Sequence, residues 1–183
     1  MSATRPATRR QPQRTNQRSL AGPAVIAGVA ALLIGLAVWS SRGGGPDELG
    51  TAYANQGQEH IAEGASHAAY NSFPATSGPH VAAPQPWGVF GDEIAEEKLV
   101  HNLEHGGIVI QYNPSLYEGS LDPLIALQAK YPNKTVVAPN SRLTTAFALT
   151  AWKRLYTLDT LDEVNMTAFI DRYKNKAPER MPD

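Results

Sequence analysis

Three of the chain's five histidines, His80, His101 and His105, lie in one stretch. His101 and His105 stand four residues apart in V-H-N-L-E-H-G. On a helix that spacing puts both imidazoles on one face, where two ring nitrogens can reach a single ion. With His101 as origin and about 100° per residue, His105 falls near about +40°, Glu97 near about −40° and Glu104 near about −60°. Leu99 and Leu103 point the opposite way, so the helix can bury its leucines and offer two His and two Glu to a cleft. The chemistry implied is metal coordination. The predicted ligands are His80, His101 and His105, with Glu104 and Glu97 as a fourth ligand or as hydrogen-bonding support. His80 closes Thr76-Ser77-Gly78-Pro79-His80. Proline there lowers the entropy lost in fixing the loop, and the two hydroxyls are available to orient a ligand ring. His60 and His67 read either as additional ligands or as surface residues. A plainer account competes: paired helical histidines can be solvent-exposed, and His105 beside Gly106-Gly107 suits a cation capping C-terminal carbonyls. His80 can equally be a turn residue bonded to a carbonyl.

Two other functions draw on the same region. His101-Asn102-Leu103-Glu104-His105 satisfies H-x-x-E-H, the inverted zinc-peptidase pattern. Glu104 would then be the general base, and Glu163 or Glu179 a third ligand. Against this, three fixed positions are a weak motif and such peptidases are built on much larger domains. Alternatively, Trp87, Phe90, Tyr70 and Phe73 among prolines could dock another membrane or envelope protein without any metal. No nucleophile elbow, P-loop or dinucleotide fingerprint is present.

The elements that must position these residues read as an α+β domain, a small mixed sheet packed with helices. Leu49–Gly64 is polar, with a strand leading to a short turn. Tyr70–Phe90 holds four prolines and should be extended and irregular. Asp92 is placed to cap a helix running to about His105, stopped by Gly106-Gly107. Ile108–Tyr112 and Thr135–Ala138 are strands, and Ala146–Leu158 is one strand or a hairpin. Leu121–Lys130 is a helix with Asp122 and Pro123 in its first turn. Leu161–Lys174 is an amphipathic helix with Leu161, Val164, Phe169, Ile170 and Tyr173 inward.

Residues 20–39 contain no charge, and a helix of that length covers about 30 Å, the hydrocarbon thickness of a bilayer. Five arginines and no acid precede it, which keeps the N-terminus inside and exports the C-terminal remainder of the chain. The run is longer than a secretory signal core and ends at Trp39 instead of small residues, so an uncleaved anchor is expected. The expected organisation is a disordered basic cytoplasmic tail at 1–19, a transmembrane helix at 20–39, a flexible linker at 40–49 and an exported domain at 50–183. With 11 of the 16 basic residues and all 17 acids after the apolar run, the exported part carries a net charge of −6. That charge argues against nucleic acid as a partner. The chain has no cysteine, which removes thiolate nucleophiles, Cys-rich zinc modules and blue-copper sites. Imidazole donors without thiolate suit copper(II) or zinc(II).

Three long strings, Y-N-S-F-P-A-T-S-G-P-H, P-x-P-W-G-V-F and L-V-H-N-L-E-H-G-G-I-V-I-Q-Y, resemble the bacterial family catalogued as domain of unknown function 3105. The likeness extends through Thr150–Trp152 to Ala177–Glu179. It implies a small membrane-anchored protein with histidines at the positions of His80, His101 and His105. It also implies a metal role in which copper is suspected, without an established activity. It lends no support to a peptidase.

Overall fold

Two strands of β-branched and aromatic residues, Ile108–Tyr112 and Thr135–Pro139, form the centre of the fold, buried along their whole length. The computed structural model describes Met1 and residues 49–179. The basic tail beyond Met1, the apolar run 20–39 and the linker up to residue 48 lie outside the described residues. Among the described residues no helix is long and apolar enough to cross a membrane.

In chain order the elements are β1 (Thr51–Ala52), β2 (His60–Ile61), β3 (His80–Val81), β4 (Gly88–Val89), α1 (Glu96–Glu104), β5 (Ile108–Tyr112), α2 (Asp122–Lys130), β6 (Thr135–Pro139), β7 (Phe147–Ala151), β8 (Arg154–Leu158) and α3 (Glu163–Tyr173). Six strands make one mixed sheet in the order β1-β8-β7-β5-β6-β4, and β2 and β3 make a separate parallel pair. The parallel pair β5 and β6 needs a crossover, which α2 supplies. The β7–β8 register leaves only Trp152 and Lys153 as the turn, and Lys153 takes φ 61° there. Positive φ at the second turn residue alone is the type II pattern.

Alternation along the central strands sends side chains to opposite faces. Ile108, Ile110, Tyr112 and Val137 meet Leu124, Leu127, Phe169 and Ile170 of α2 and α3. Val109 and Val136 meet Leu99, Val100 and Leu103 of α1, with Trp152 and Ala75. The result is an α+β domain in which α1 and the proline-rich segment cover the face opposite α2 and α3.

Three sequence expectations shift. The helix expected from Asp92 begins at Glu96 behind Ala95, without a side-chain cap. Glu93 instead accepts a bond from Ser141 N at 2.6 Å, which holds that turn against the β6–β7 connection. The polar stretch before residue 64 yields two-residue strands, β1 on the edge of the main sheet and β2 beside β3. In α3, Val164 is 79 % exposed and Met166 is fully buried. Asp162 caps the helix through Asn165 N at 3.0 Å, and the inner stripe is 166, 169, 170 and 173, a spacing that excludes 164.

Candidate metal centre

Two short segments converge on the outer side of α1. In the β2–β3 pair His60 lies directly opposite His80, and neighbours in register project to the same face. The pair is closed by His80 N donating to Glu59 O at 2.9 Å and Gly78 N donating to Gly57 O at 3.2 Å. Gly78 takes φ +124°, and a Cβ there would meet the Tyr70 ring at 3.0 Å. Thr76 and Ser77 are buried but do not orient His80. Ser77 Oγ accepts from Gln56 N, Thr76 Oγ1 bonds Ser72 Oγ, and the Thr76 carbonyl accepts Lys153 N from the β7–β8 turn at 2.8 Å. The hydroxyls brace the loop, and the loop presents the ring.

His101 and Glu104 come from α1, and His105 follows as its C-cap. Asn102, between them, is fully buried and holds the proline-rich segment down. Its Oδ1 accepts from Gln85 N at 2.9 Å and its Nδ2 donates to Gln85 O at 2.7 Å. Gly107 lets Trp87 pack over the helix end, since a Cβ there would sit 2.4 Å from the indole.

The rings form one array. His80, fully buried, donates from Nδ1 to Gly78 O at 2.8 Å and turns Nε2 to Glu104 Oε2 at 2.9 Å. His101, 4 % exposed, donates from Nδ1 to Val81 O at 2.7 Å and turns Nε2 to His105 Nε2 at 3.1 Å. These tautomers are assigned from the carbonyl partners, which accept only. His60 stacks on His101 with centroids 5.1 Å apart, and its Nε2 lies 3.5 Å from Glu104 Oε2. Gln58 donates to the other oxygen of Glu104 at 2.8 Å. His105 Nε2 lies 3.2 Å from Glu179 Oε2.

Electrostatics reflect this packing. Burial pushes the His101 imidazole below the ordinary histidine range, the Val81 carbonyl pulls the other way, and His105 and His80 add to the depression. Burial opposes ionisation of Glu104, yet hydrogen bonds from Gln58 and His80 and the charges of His80 and His101 hold its carboxyl below the usual range. An ionised carboxylate and a neutral imidazole are the forms that bind metals.

One ligand atom from each of His60, His80, His101 and Glu104 lies within 4.8 Å of all the others, and a second such group joins Glu104, His105 and Glu179. Bonds of about 2.0–2.1 Å let one ion reach atoms at most about 4.1 Å apart. The donors of the first group, all within 4.8 Å of one another, must draw in toward the about 3.4 Å spacing of a tetrahedral site, and His60, its side chain 48 % exposed, is the member with most room to move. Donor chemistry and spacing both fit a transition metal. Glu97 stands elsewhere: its Oε1 meets His67 Nε2 at 3.2 Å, and neither residue belongs to the groups. Glu163 is exposed at the start of α3 and also stands apart. Sequence reasoning missed Gln58 and Asn102, and left His60 undecided, because their roles arise only when the β2 and Gln85 segments dock.

A family model described as "Protein of unknown function (DUF3105)" matches residues 60–182, two thirds of the chain. The chain belongs to this family. The match begins at His60, so every side chain of both DUF3105 ligand groups lies within it. No curated protein and no solved structure matches the chain. Of the DUF3105 aromatics considered for docking, Tyr70, Trp87 and Phe90 are partly buried against the α1 core, and exposed Phe73 lies under Arg142 at 4.6 Å.

Proposed function

We propose that this DUF3105 protein is a single-pass, membrane-anchored extracytoplasmic protein that binds copper(II) or zinc(II) without catalysis, through His60, His80 and His101 with Glu104. The observation that carries the reading is the treatment of the two buried imidazoles. Each commits Nδ1–H to a backbone carbonyl, Gly78 O or Val81 O, and leaves Nε2 facing another candidate ligand, Glu104 for His80 and His105 for His101. Metal-binding histidines are oriented by this kind of outer hydrogen bond. Donors of this type favour copper(II) over zinc(II). Copper(I) as cargo has less support, since Met166 is sealed in the core beneath α3. Gln58 holds one oxygen of Glu104 and leaves the other facing the Nε2 atoms of His80 and His60, the position of a ligand beside its fellow ligands.

Titration of the detergent-solubilised full chain should give tight copper(II) uptake that His60→Ala, His80→Ala and His101→Ala each weaken. Unchanged uptake in all three variants would sink the metal reading. The anchor rests on the uncharged run 20–39 behind five arginines. Protease added to right-side-out spheroplasts should digest the domain and spare the tail, and a protected domain would reverse the topology.

A further inference from the structure

The ligand atoms form a row too long for one ion. His80 and His60 meet Glu104 at one end, His101 meets His105 in the middle, and His105 meets Glu179 at the other end. His105 falls outside the 4.8 Å group of His60, His80, His101 and Glu104, and groups instead with Glu104 and Glu179. An ion reaching about 2.0–2.1 Å to each donor cannot serve both ends. We infer that the protein holds a second divalent cation on Glu104, His105 and Glu179, with Glu104 shared between the two positions. This rests on the proposal that His60, His80, His101 and Glu104 hold the first ion.

Glu179 is brought there by main chain. After α3 the backbone turns along the end of α1, with Asn175 N donating to Gly106 O at 2.8 Å and Glu179 N donating to Glu104 O at 3.1 Å. Gly106 takes φ +76°, and a Cβ there would lie 2.8 Å from Asn175 Cα, so only glycine admits the crossing. The fold thus carries the main chain of Glu179 to the end of α1, from where its carboxylate reaches His105. His105 Nε2 faces two acceptor atoms, His101 Nε2 at 3.1 Å and Glu179 Oε2 at 3.2 Å. A cation at His105 and Glu179 would take over from the proton that now has to lie among these three atoms.

The two positions differ in chemistry and access. The first offers three imidazoles and a carboxylate, with His80 and Glu104 side chains 0 % and 2 % exposed. The second offers one imidazole and two carboxylates, with Glu179 54 % exposed. Carboxylate donors favour harder ions such as manganese(II), and an open site exchanges faster. The second ion is accordingly the weaker and the more exchangeable, and its site is less biased toward copper.

Equilibrium dialysis of the full chain against zinc(II) should give two ions per chain, falling to one in Glu179→Gln and in His105→Ala. Both residues are at least partly exposed, so these variants should keep the fold. Loaded with two copper(II) ions, the wild type should show an electron paramagnetic resonance spectrum broadened by the neighbouring spin, and Glu179→Gln a spectrum of isolated copper. One ion in the wild type, lost in His80→Ala, would overturn the second position and leave the first standing. No ion in the wild type would overturn both. Two ions in either Glu179→Gln or His105→Ala, or a wild-type spectrum without broadening, would overturn the shared-carboxylate assignment.

Discussion

The two faces of the central sheet are filled by different kinds of residue. Under α2 and α3 the filling is Leu124, Leu127, Met166, Phe169, Ile170 and their partners, nearly all apolar. On the α1 side the apolar cluster is about half as large, and α1 itself buries Glu96, His101, Asn102 and Glu104. Burying such groups costs several kcal/mol unless each is bonded, so this face is a poor way to stabilise a domain. Here most of them are bonded, to Gly78 O, Val81 O, Gln85 and Gln58. One face holds the fold together, and the other gives up stability to hold polar side chains in set orientations.

Phe169→Ala should break the comparison most strongly from the apolar side. Its ring is fully buried against Tyr156 and Tyr173, and its loss should cost about 3–5 kcal/mol. Urea unfolding with and without zinc(II) would show a lower midpoint in both, with the increment due to the ion unchanged. For the wild type that increment should be about 2.7 kcal/mol when free ion is 100 times the dissociation constant. An increment that vanished in Phe169→Ala would mean that the two faces are not separable.

From the polar side, Glu104→Gln should weaken the first position by at least about tenfold, since even an outer partner of a metal ligand is worth about 10–100-fold. The side chain is fully buried and bonded to His80 and Gln58, so isothermal titration reads the loss of one charge in a fixed setting. The same variant separates the rival reading: a peptidase using Glu104 as base would keep its zinc and lose turnover.

Legibility in the sequence divides along the same line. The apolar face is periodic, so β5, β6, the β7–β8 region and all three helices were legible from spacing, with errors at ends and in the stripe of α3. The proximity of His101, Glu104 and His105 was legible because an i, i+4 pattern is local. His60 was not, because β2 exists only through its pairing with β3, and two residues carry no period. Glu97, placed near the histidines by the same local logic, lies about 80° from His105 on an ideal wheel, pairs with His67 and joins neither ligand group. Pairings made by docked loops leave no periodic trace in a sequence.

The smallest expected effect sharpens the comparison within the polar face itself. Glu96 is buried on α1, accepts Ala75 N at 2.7 Å, and has Arg142 3.7 Å away, but belongs to neither ligand group. Burial raises its pKa above the ordinary 4.5, the bond from Ala75 only partly offsetting it. In the unfolded chain the carboxyl ionises first, so its contribution to stability declines as pH rises from 4.5 through the raised folded value. His101 and Glu104 act the other way. Their depressed folded values make the ion-free protein lose stability as pH falls, first below about 6.5 for His101 and then below about 4.5 for Glu104. Glu96→Gln keeps an acceptor for Ala75 N and removes the charge, so at pH 7 it should stabilise the chelated protein by on the order of 1 kcal/mol. That gain should disappear by about pH 4.5, while zinc(II) uptake at pH 7 stays at the wild-type level. A loss of uptake would show that the polar face works as one network, and that the ligand groups are not separable from the rest of α1.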